Sequence, residues 1–465
     1  MRSPWLVLGV VCLGMFTASI DGAALNVTYP LLATTFGTSA AVIGWVALAN
    51  MITSVTGLAI FGRLADQVGR KRVYVSGIVV FLLGSILAIS AQSLGWLIAA
   101  RVVSGLGNSM LIANSVALIG GVFPANRRGT AIGMLETTVA LGLATGPIFG
   151  GLVADALGWR AVFFLCWPAG VSAAVLAVLV LREAPRLGTR ESFDFLGAVT
   201  FAGGMVSSLL GLTNGATLGW GSPWVLGALG LGAALFAIFV LIERRVPYPM
   251  IDLSLFRSPV FAAANLAKVA CYLAIMAGLF LAPFYFQRAL GLSPAETGRA
   301  MLPFPIALSL ASLTMGPLSD RIGWRAIAPL GMVVGAVGCW LVAQITPEGG
   351  LLAAFGAFLL MILGLASFIS PNDSAIVGAA PPERLGVASG ILAVTRSLGM
   401  IVGIALAGTV LAAREPAYAA AGLDEVGAFV AAFHDVFRIA AGVCILGALA
   451  SLVGGGERCD AHADE

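Results

Sequence analysis

The stretch "GRLADQVGRKR" (residues 62–72) decides how this chain is read, because it occurs twice. Its second copy, "GPLSDRIGWRA" (316–326), keeps the frame Gly-x-Leu-x-Asp-x-x-Gly-x-x at an offset of 254 residues. In both copies a long apolar run ends at the frame and another begins after it. Gly62 and Gly69 allow a tight turn between two helices, and Asp66 can face a helix N-terminus or a nearby arginine. A second echo, "RGTAIGML" (128–135) against "LGVASGIL" (385–392), lies at an offset of 257. Two echoes at nearly one offset imply two homologous halves.

The composition says what solvent those halves live in. Of 465 residues, 59% are hydrophobic and 10% are charged. A soluble domain carries roughly 25% charged residues, so this chain is expected to be an all-α integral membrane protein. Apolar runs of about 20 residues predict fourteen spans: 5–31, 42–61, 73–92, 96–120, 129–153, 160–181, 194–213, 223–242, 260–284, 296–317, 325–345, 351–377, 386–412 and 434–454. The first run continues to about Leu32 without a cleavage site, which predicts a retained span rather than a signal peptide.

Basic residues cluster in alternate loops. Arg63, Arg70, Lys71, Arg72, Arg127, Arg128, Arg182, Arg186, Arg190, Arg244, Arg245, Arg257, Arg321, Arg325 and Arg384 share one side; Arg160, Arg288, Arg299 and Arg414 share the other. The positive-inside rule then places both termini in the cytoplasm. The repeat pairs spans 1–6 with spans 9–14 and leaves spans 7 and 8 as an insertion. The expected divisions are an N-terminal six-helix bundle (1–182), an inserted helix pair (183–257), a C-terminal six-helix bundle (258–454) and a polar tail (455–465). Two such repeats suggest a parallel pseudo-twofold axis along the membrane normal.

Several classes are excluded. A net charge of +3 without a clustered basic face argues against nucleic acid. The six cysteines form no CxxC pair, and His434 and His462 are not at ligand spacing, so no metal site is expected. There is no GxxxxGK[ST] loop, cofactor fingerprint or nucleophile–base pair, so the chain is read as no enzyme and as needing no cofactor.

Charges inside the spans are the candidate functional residues. The acids are Asp21, Glu136 and Asp373; the cations are Arg101, Lys268 and Arg396. An arginine at mid-span costs about 2.5–3.5 kcal/mol on insertion scales and calls for a partner or a wet cavity. A carboxyl kept from water can hold a proton and release it when the cavity wets or a cation arrives. Asp373 and Asn372 follow Pro371, so Asp373 either lines a cavity or caps local backbone. In "LETTVALGLATGPIFGGLVAD" (135–155), Gly142, Gly146 and Gly150 recur every fourth residue and Pro147 interrupts them. That bare face is expected to be the seam where the two halves close. At about 100° per residue, Glu136 lies on another face, with Ala140, Leu143 and Pro147.

These motifs together resemble the major facilitator superfamily. Gly62, Leu64, Asp66, Gly69, Arg70 and Lys71, with Asp320 and Gly323 in the second copy, match its loop signature. The resemblance implies a cytoplasmic latch there. "LIAARVVSGLG" (97–107) is similar to the fourth-span signature in Arg101 and Gly105, with Ser104 where glutamine is usual. Gly142, Gly146, Pro147, Gly150 and Gly151 match the fifth-span signature of its antiporters. "DGAALNVTYP" (21–30) resembles the first span of the fourteen-span drug:proton antiporters in Asp21, Asn26, Val27 and Pro30, and Arg396 matches an arginine of their thirteenth span.

The resemblance implies a proton-coupled exporter of drugs, antibiotics or related amphipathic or cationic compounds, working by alternating access. Proton coupling and substrate binding would fall to Asp21, Asn26, Arg101, Glu136, Lys268, Asn372, Asp373 and Arg396. The implied partners are a small-molecule substrate, protons and the lipid bilayer of the inner (plasma) membrane, with the chain acting as a monomer. A carrier of one specific metabolite and a non-transporting receptor remain open.

Overall fold

A computed structural model of the chain describes residues 3–182, 195–246, 253–381 and 385–453. In chain order its helices are α1 (Pro4–Asn26), α2 (Tyr29–Phe36), α3 (Ala40–Val68), α4 (Arg70–Ile89), α5 (Leu94–Gly120), α6 (Ala125–Leu157), α7 (Trp159–Val162), α8 (Trp167–Val180), α9 (Phe195–Leu218) and α10 (Pro223–Glu243). They continue as α11 (Pro259–Phe284), α12 (Pro294–Met301), α13 (Pro303–Ile322), α14 (Trp324–Val342), α15 (Gly350–Gly378), α16 (Leu385–Ala420) and α17 (Glu425–Val453). Among the described residues, 13 helical stretches are long and apolar enough to cross a membrane. The all-α membrane fold expected from composition is the fold observed.

Prolines account for where helices depart from the predicted spans. The first predicted span, 5–31, is two helices. Pro30 has no N–H to donate, so the first helix ends at Asn26. Thr28 Oγ1 instead donates to the carbonyl of Leu25 at 2.7 Å, and Gln287 Nε2 donates to the carbonyl of Val27 at 2.8 Å. The tenth predicted span, 296–317, divides at Leu302 into α12 and α13, where Pro303 follows. The 20-residue α13 is not among the spanning candidates; its sequence carries Pro303, Pro305, Pro317, Asp320 and Arg321. By contrast α6 runs through Pro147 without ending.

The chain forms two compact units: Met1–Met250 with Ala282–Pro305, and Ile251–Leu281 with Ile306–Glu465. Helix α12, from the second sequence repeat, thus belongs to the first unit. The predicted tail, 455–465, lies outside the described residues, as does much of the connector at 183–194.

Each unit carries the repeat as the same local geometry. Gly69 joins α3 to α4 at φ +116, and Gly323 joins α13 to α14 at φ +95. Both amides close the preceding helix, Gly69 onto the carbonyl of Ala65 at 2.9 Å and Gly323 onto that of Ser319 at 2.8 Å. The helices after each turn also pack alike. Gly77 and Gly84 let α4 meet α5, and Gly331 and Gly338, at the same offset of 254, let α14 meet α15. A Cβ on Gly77 would come within 2.6 Å of Met110 Cβ, and one on Gly331 within 2.8 Å of the Phe368 amide nitrogen.

The left-handed turn predicts an asymmetry between two glycines of one motif. Gly69→Ala should destabilise the detergent-purified protein by about 1–3 kcal/mol. Gly62→Ala, whose Cβ would only touch Ala113 Cβ at 4.0 Å, should leave the midpoint of thermal unfolding nearly unchanged. Equal shifts would contradict the turn geometry.

Candidate functional site

The first unit builds a buried ion pair. Asp21 lies on α1 and Arg101 on α5; Arg101 Nη1 meets Asp21 Oδ2 at 2.7 Å, with both side chains only 4% exposed. Neither charge could stay in an apolar span alone, so each is the condition for the other. The surroundings are polar but mostly satisfied. Asn50 Nδ2 donates to the carbonyl of Arg101 at 3.3 Å, and Tyr29 and Cys166 lie within electrostatic reach of the guanidinium. The Nε of Arg101 is buried without a hydrogen-bond partner. Ser104, where a glutamine is usual, hydrogen-bonds the carbonyl of Ala100 at 3.2 Å and is packed by the bare backbone of Gly84. Asn26 is half-buried at the end of α1, five residues beyond Asp21.

The glycine ladder serves this pair. A Cβ on Gly142 would come within 2.7 Å of Ser19 Cβ, one on Gly146 within 2.5 Å of Ala23 Cβ, and one on Gly150 within 2.5 Å of the Ala24 carbonyl oxygen. The ladder therefore packs α6 onto α1 inside one unit, which corrects its expected place at the seam between halves. The physical reason is that bare faces go where backbones approach most closely, and here that is the neighbouring first helix. At about 100° per residue, Asp21 lies roughly opposite Ser19 and Ala23 on α1. Gly142 and Gly146 thus grip the back of the helix whose front carries the acid, and Gly150 meets it at its flank.

Gly151 and Pro147 have a separate neighbour. A Cβ on Gly151 would strike the carbonyl of Pro294, and one on Gly298 would strike the carbonyl of Pro147. Helix α12 is thus seated reciprocally on α6. It starts in a capping box in which Ser293 Oγ accepts from the Glu296 amide at 3.2 Å and the Ser293 amide donates to Glu296 Oε2 at 2.9 Å. Those hydrogen bonds pull the Glu296 carboxyl below its ordinary pKa. Glu136 lies on α6, but its side chain is outside the described part, as are those of Asp66 and Asp320.

The second unit builds another pair with the signs exchanged. Lys268 lies on its first long helix, α11, and Asp373 on α15; Nζ and Oδ1 are 2.5 Å apart. In the first unit the acid is on the first span and the cation on the fourth; here the cation is on the first and the acid on the fourth. Lys268 is 1% exposed, but Asp373 is 31% exposed. Asp373 thus pairs across helices instead of capping its own backbone. Asn372 Nδ2 donates to the carbonyl of Ala264 at 3.1 Å, and Thr395 Oγ1 donates to Asn265 Oδ1 at 3.1 Å. Arg396 on α16 is exposed and acts electrostatically on Tyr272. The glycines of α16 repeat the first unit's device: a Cβ on Gly399 would come within 2.7 Å of the Val269 carbonyl oxygen, and Gly403 lies against Leu273. Asn265, Thr395 and Tyr272 were not singled out from sequence. Their polarity is ordinary for a span, and only the fold brings them beside charges.

In the loop signature, Arg70 Nη1 donates to the carbonyl of Ala117 at 3.2 Å, and Lys71 Nζ donates to that of Val178 at 2.7 Å. Both basic residues thus cap carbonyls near the ends of neighbouring helices, α5 and α8, where the helix dipole favours a cation.

Helical spans in two repeats, with charges paired inside each unit, define a polytopic membrane protein. The chain matches the family model "Major Facilitator Superfamily" over residues 11–242, 195–403 and 264–457, and it belongs to that family. It is 32% identical over 453 residues to the riboflavin transporter RibZ of Clostridioides difficile, covering 96% of each chain. It is 29% identical to the tetracenomycin C resistance and export protein of Streptomyces glaucescens, over 94% of this chain and 82% of that one. It is 32% identical to the multidrug resistance protein Stp of Mycobacterium tuberculosis, over 89% of this chain and 76% of that one. Among solved structures, a bacterial homolog of the human lysosomal transporter Spinster shares the fold with a TM-score of 0.71 at 16% identity, over 98% of this chain and 96% of that one.

Two measurements probe this architecture. Arg101→Met alone strands the Asp21 carboxylate and should cost about 3–5 kcal/mol of stability; adding Asp21→Asn should recover most of it. A double variant as unstable as the single one would deny the pairing. Gly146→Val should lower the unfolding midpoint of the purified protein by the equivalent of about 1–3 kcal/mol. A Gly146→Val protein of unaltered stability would mean that α6 does not press on α1.

Proposed function

We propose that this chain is a proton-coupled exporter of small amphipathic compounds, drugs or antibiotics among them. The observation that carries this reading is the pair of intramembrane ion pairs, Asp21–Arg101 and Lys268–Asp373, one in each unit. A proton arriving on either carboxylate cancels its charge and frees its cation. The energetic reason for the two helices to stay in register at that point then weakens, and the unit can adopt a second arrangement. A proton taken up from the outside and released inside thus drives alternating access. The membrane potential adds about 2.3 kcal/mol per charge per 100 mV, and no cofactor is required. Export as the direction is supported by the two relatives named for resistance and export and by the Gly142–Gly151 motif. Basic residues in alternate loops support cytoplasmic termini in the plasma membrane. The chain would work as a monomer, since each charged pair is complete within one copy.

A second reading has its own observation. The riboflavin transporter RibZ aligns over 96% of both chains, which favours a vitamin-sized, planar, neutral substrate and movement in either direction.

The deciding experiment is dye and antibiotic accumulation in everted vesicles, with and without an uncoupler. Energised vesicles should accumulate at least one compound of the panel and lose it when the uncoupler is added. Asp21→Asn should cut that accumulation at least tenfold per molecule of protein present in the membrane, a normalisation required because the variant also strands the Arg101 guanidinium. Accumulation that ignores the uncoupler, or survives Asp21→Asn, would end the proton-coupled reading. Gradient-independent entry of labelled riboflavin into intact cells expressing the chain would favour the second.

A further inference from the structure

The two charged clusters are not equivalent. The Asp21–Arg101 pair is balanced and closed, with both side chains 4% exposed. The cluster in the second unit is neither. Lys268, Asp373 and Arg396 act on one another electrostatically, so two cations share one carboxylate. Among the described residues no second carboxylate forms an ion pair with any of the three. The open members are Asp373, 31% exposed, and Arg396, which is exposed and makes no ion pair among the described residues.

Arg396 is directed toward the cluster rather than away from it. Gly399, one turn further along α16, brings that helix against the backbone of Val269 and the Cβ of Tyr272. Arg396, one turn before Gly399 on nearly the same face of α16, is thereby brought beside Tyr272 and acts on it electrostatically, and Lys268 Nζ lies 5.8 Å from the centre of the same ring. The nearby amides are already occupied: Asn372 on Ala264, and Asn265 between Phe261 and Thr395. They hold the walls together and leave the charges free to meet a ligand. An unbalanced cation within a span is expensive unless something fills it. A planar guanidinium suits a carboxylate or phosphate oxygen pair.

We infer that Arg396, with Tyr272 and Lys268 behind it, is a substrate subsite for an acidic group, so that the preferred cargo is an amphipathic organic acid or zwitterion. The apolar helices receive the body of the molecule, and Arg396 receives its carboxylate or phosphate. While Asp373 is ionised it offsets one of the two cations, and the positive charge left over disfavours cargo carrying only positive charge at this position. This deepens the transport reading above and rests on it.

The test uses rhodamine B, which has a free carboxylate, and its ethyl ester, which differs only in lacking it. Binding of each to the full-length purified protein in detergent is followed by fluorescence polarisation. The free acid should bind about tenfold more tightly than the ester, the scale of one charge-assisted hydrogen bond. Arg396→Gln should weaken the free acid about tenfold, and Arg396→Lys, which keeps the charge but not the planar fork, should recover only part of that loss. Equal or tighter binding of the ester, no binding of the free acid, or an acid preference that survives Arg396→Gln would each overturn the subsite. Binding in detergent needs no gradient. A protein that prefers the free acid but drives no uncoupler-sensitive transport keeps this subsite and loses the export reading. A protein that exports dyes without any acid preference does the reverse.

Discussion

Asp21 and Arg101 meet at 2.7 Å in a setting where neither could remain charged alone. Ion-sized groups moved out of water lose several kcal/mol even after relaxation, and the surrounding helices offer little else to solvate them. The pair therefore constrains everything around it. Helices α1 and α5 must stay in register at one level. Helix α1 must be held from behind, which the bare face of α6 does through Gly142 and Gly146, with Gly150 at its flank. Helix α5 must be held from its other sides, and Gly84 and Gly105 let α4 and α3 reach its backbone. Tightness at the glycines and charge at the centre are one arrangement. A loose wall would let the pair slip apart, and an apolar pair would have no reason to respond to a proton.

The second unit repeats the walls and changes the charges. Left-handed glycines, Gly69 and Gly323, turn the chain at matched positions. Gly77 and Gly84 find their counterparts in Gly331 and Gly338. Gly399 and Gly403 seat α16 on α11 much as the ladder seats α6 on α1. Inside those similar walls the acid and the cation have exchanged helices, and Arg396 adds a further positive charge. Duplicated scaffolds allow this, because backbone packing depends on small residues and turns while a few side chains set the chemistry. One unit can thus specialise in a sealed, balanced pair and the other in an open, unbalanced one.

Much of this was legible in the residues. The duplicated Gly-Asp-Gly frame, the alternation of basic loops and the scarcity of charge pointed to repeated membrane helices. The chain could be divided into spans because an apolar run of a given length has only one use in a bilayer. The charged residues worth attention were legible for the same reason, since charge inside a span is too costly to be idle. What misled was local detail around proline. One long run at 5–31 became two helices at Pro30, and another at 296–317 became two at Pro303, because hydropathy does not register a missing N–H.

The sequence by itself thus determined the solvent, the helical class, the repeat and the short roster of buried charges. All of these follow from composition and spacing. Partnership was decided only by the tertiary structure. Asp21 could have paired with any cation; the fold selects Arg101, 80 residues away. Asp373 could have capped its own helix; the fold gives it Lys268, 105 residues away. The glycine ladder announced a close approach but not to what, and packing supplied α1. A residue's cost of burial is written in its own chemistry, whereas the group that offsets it is set by which helices the rest of the chain brings together.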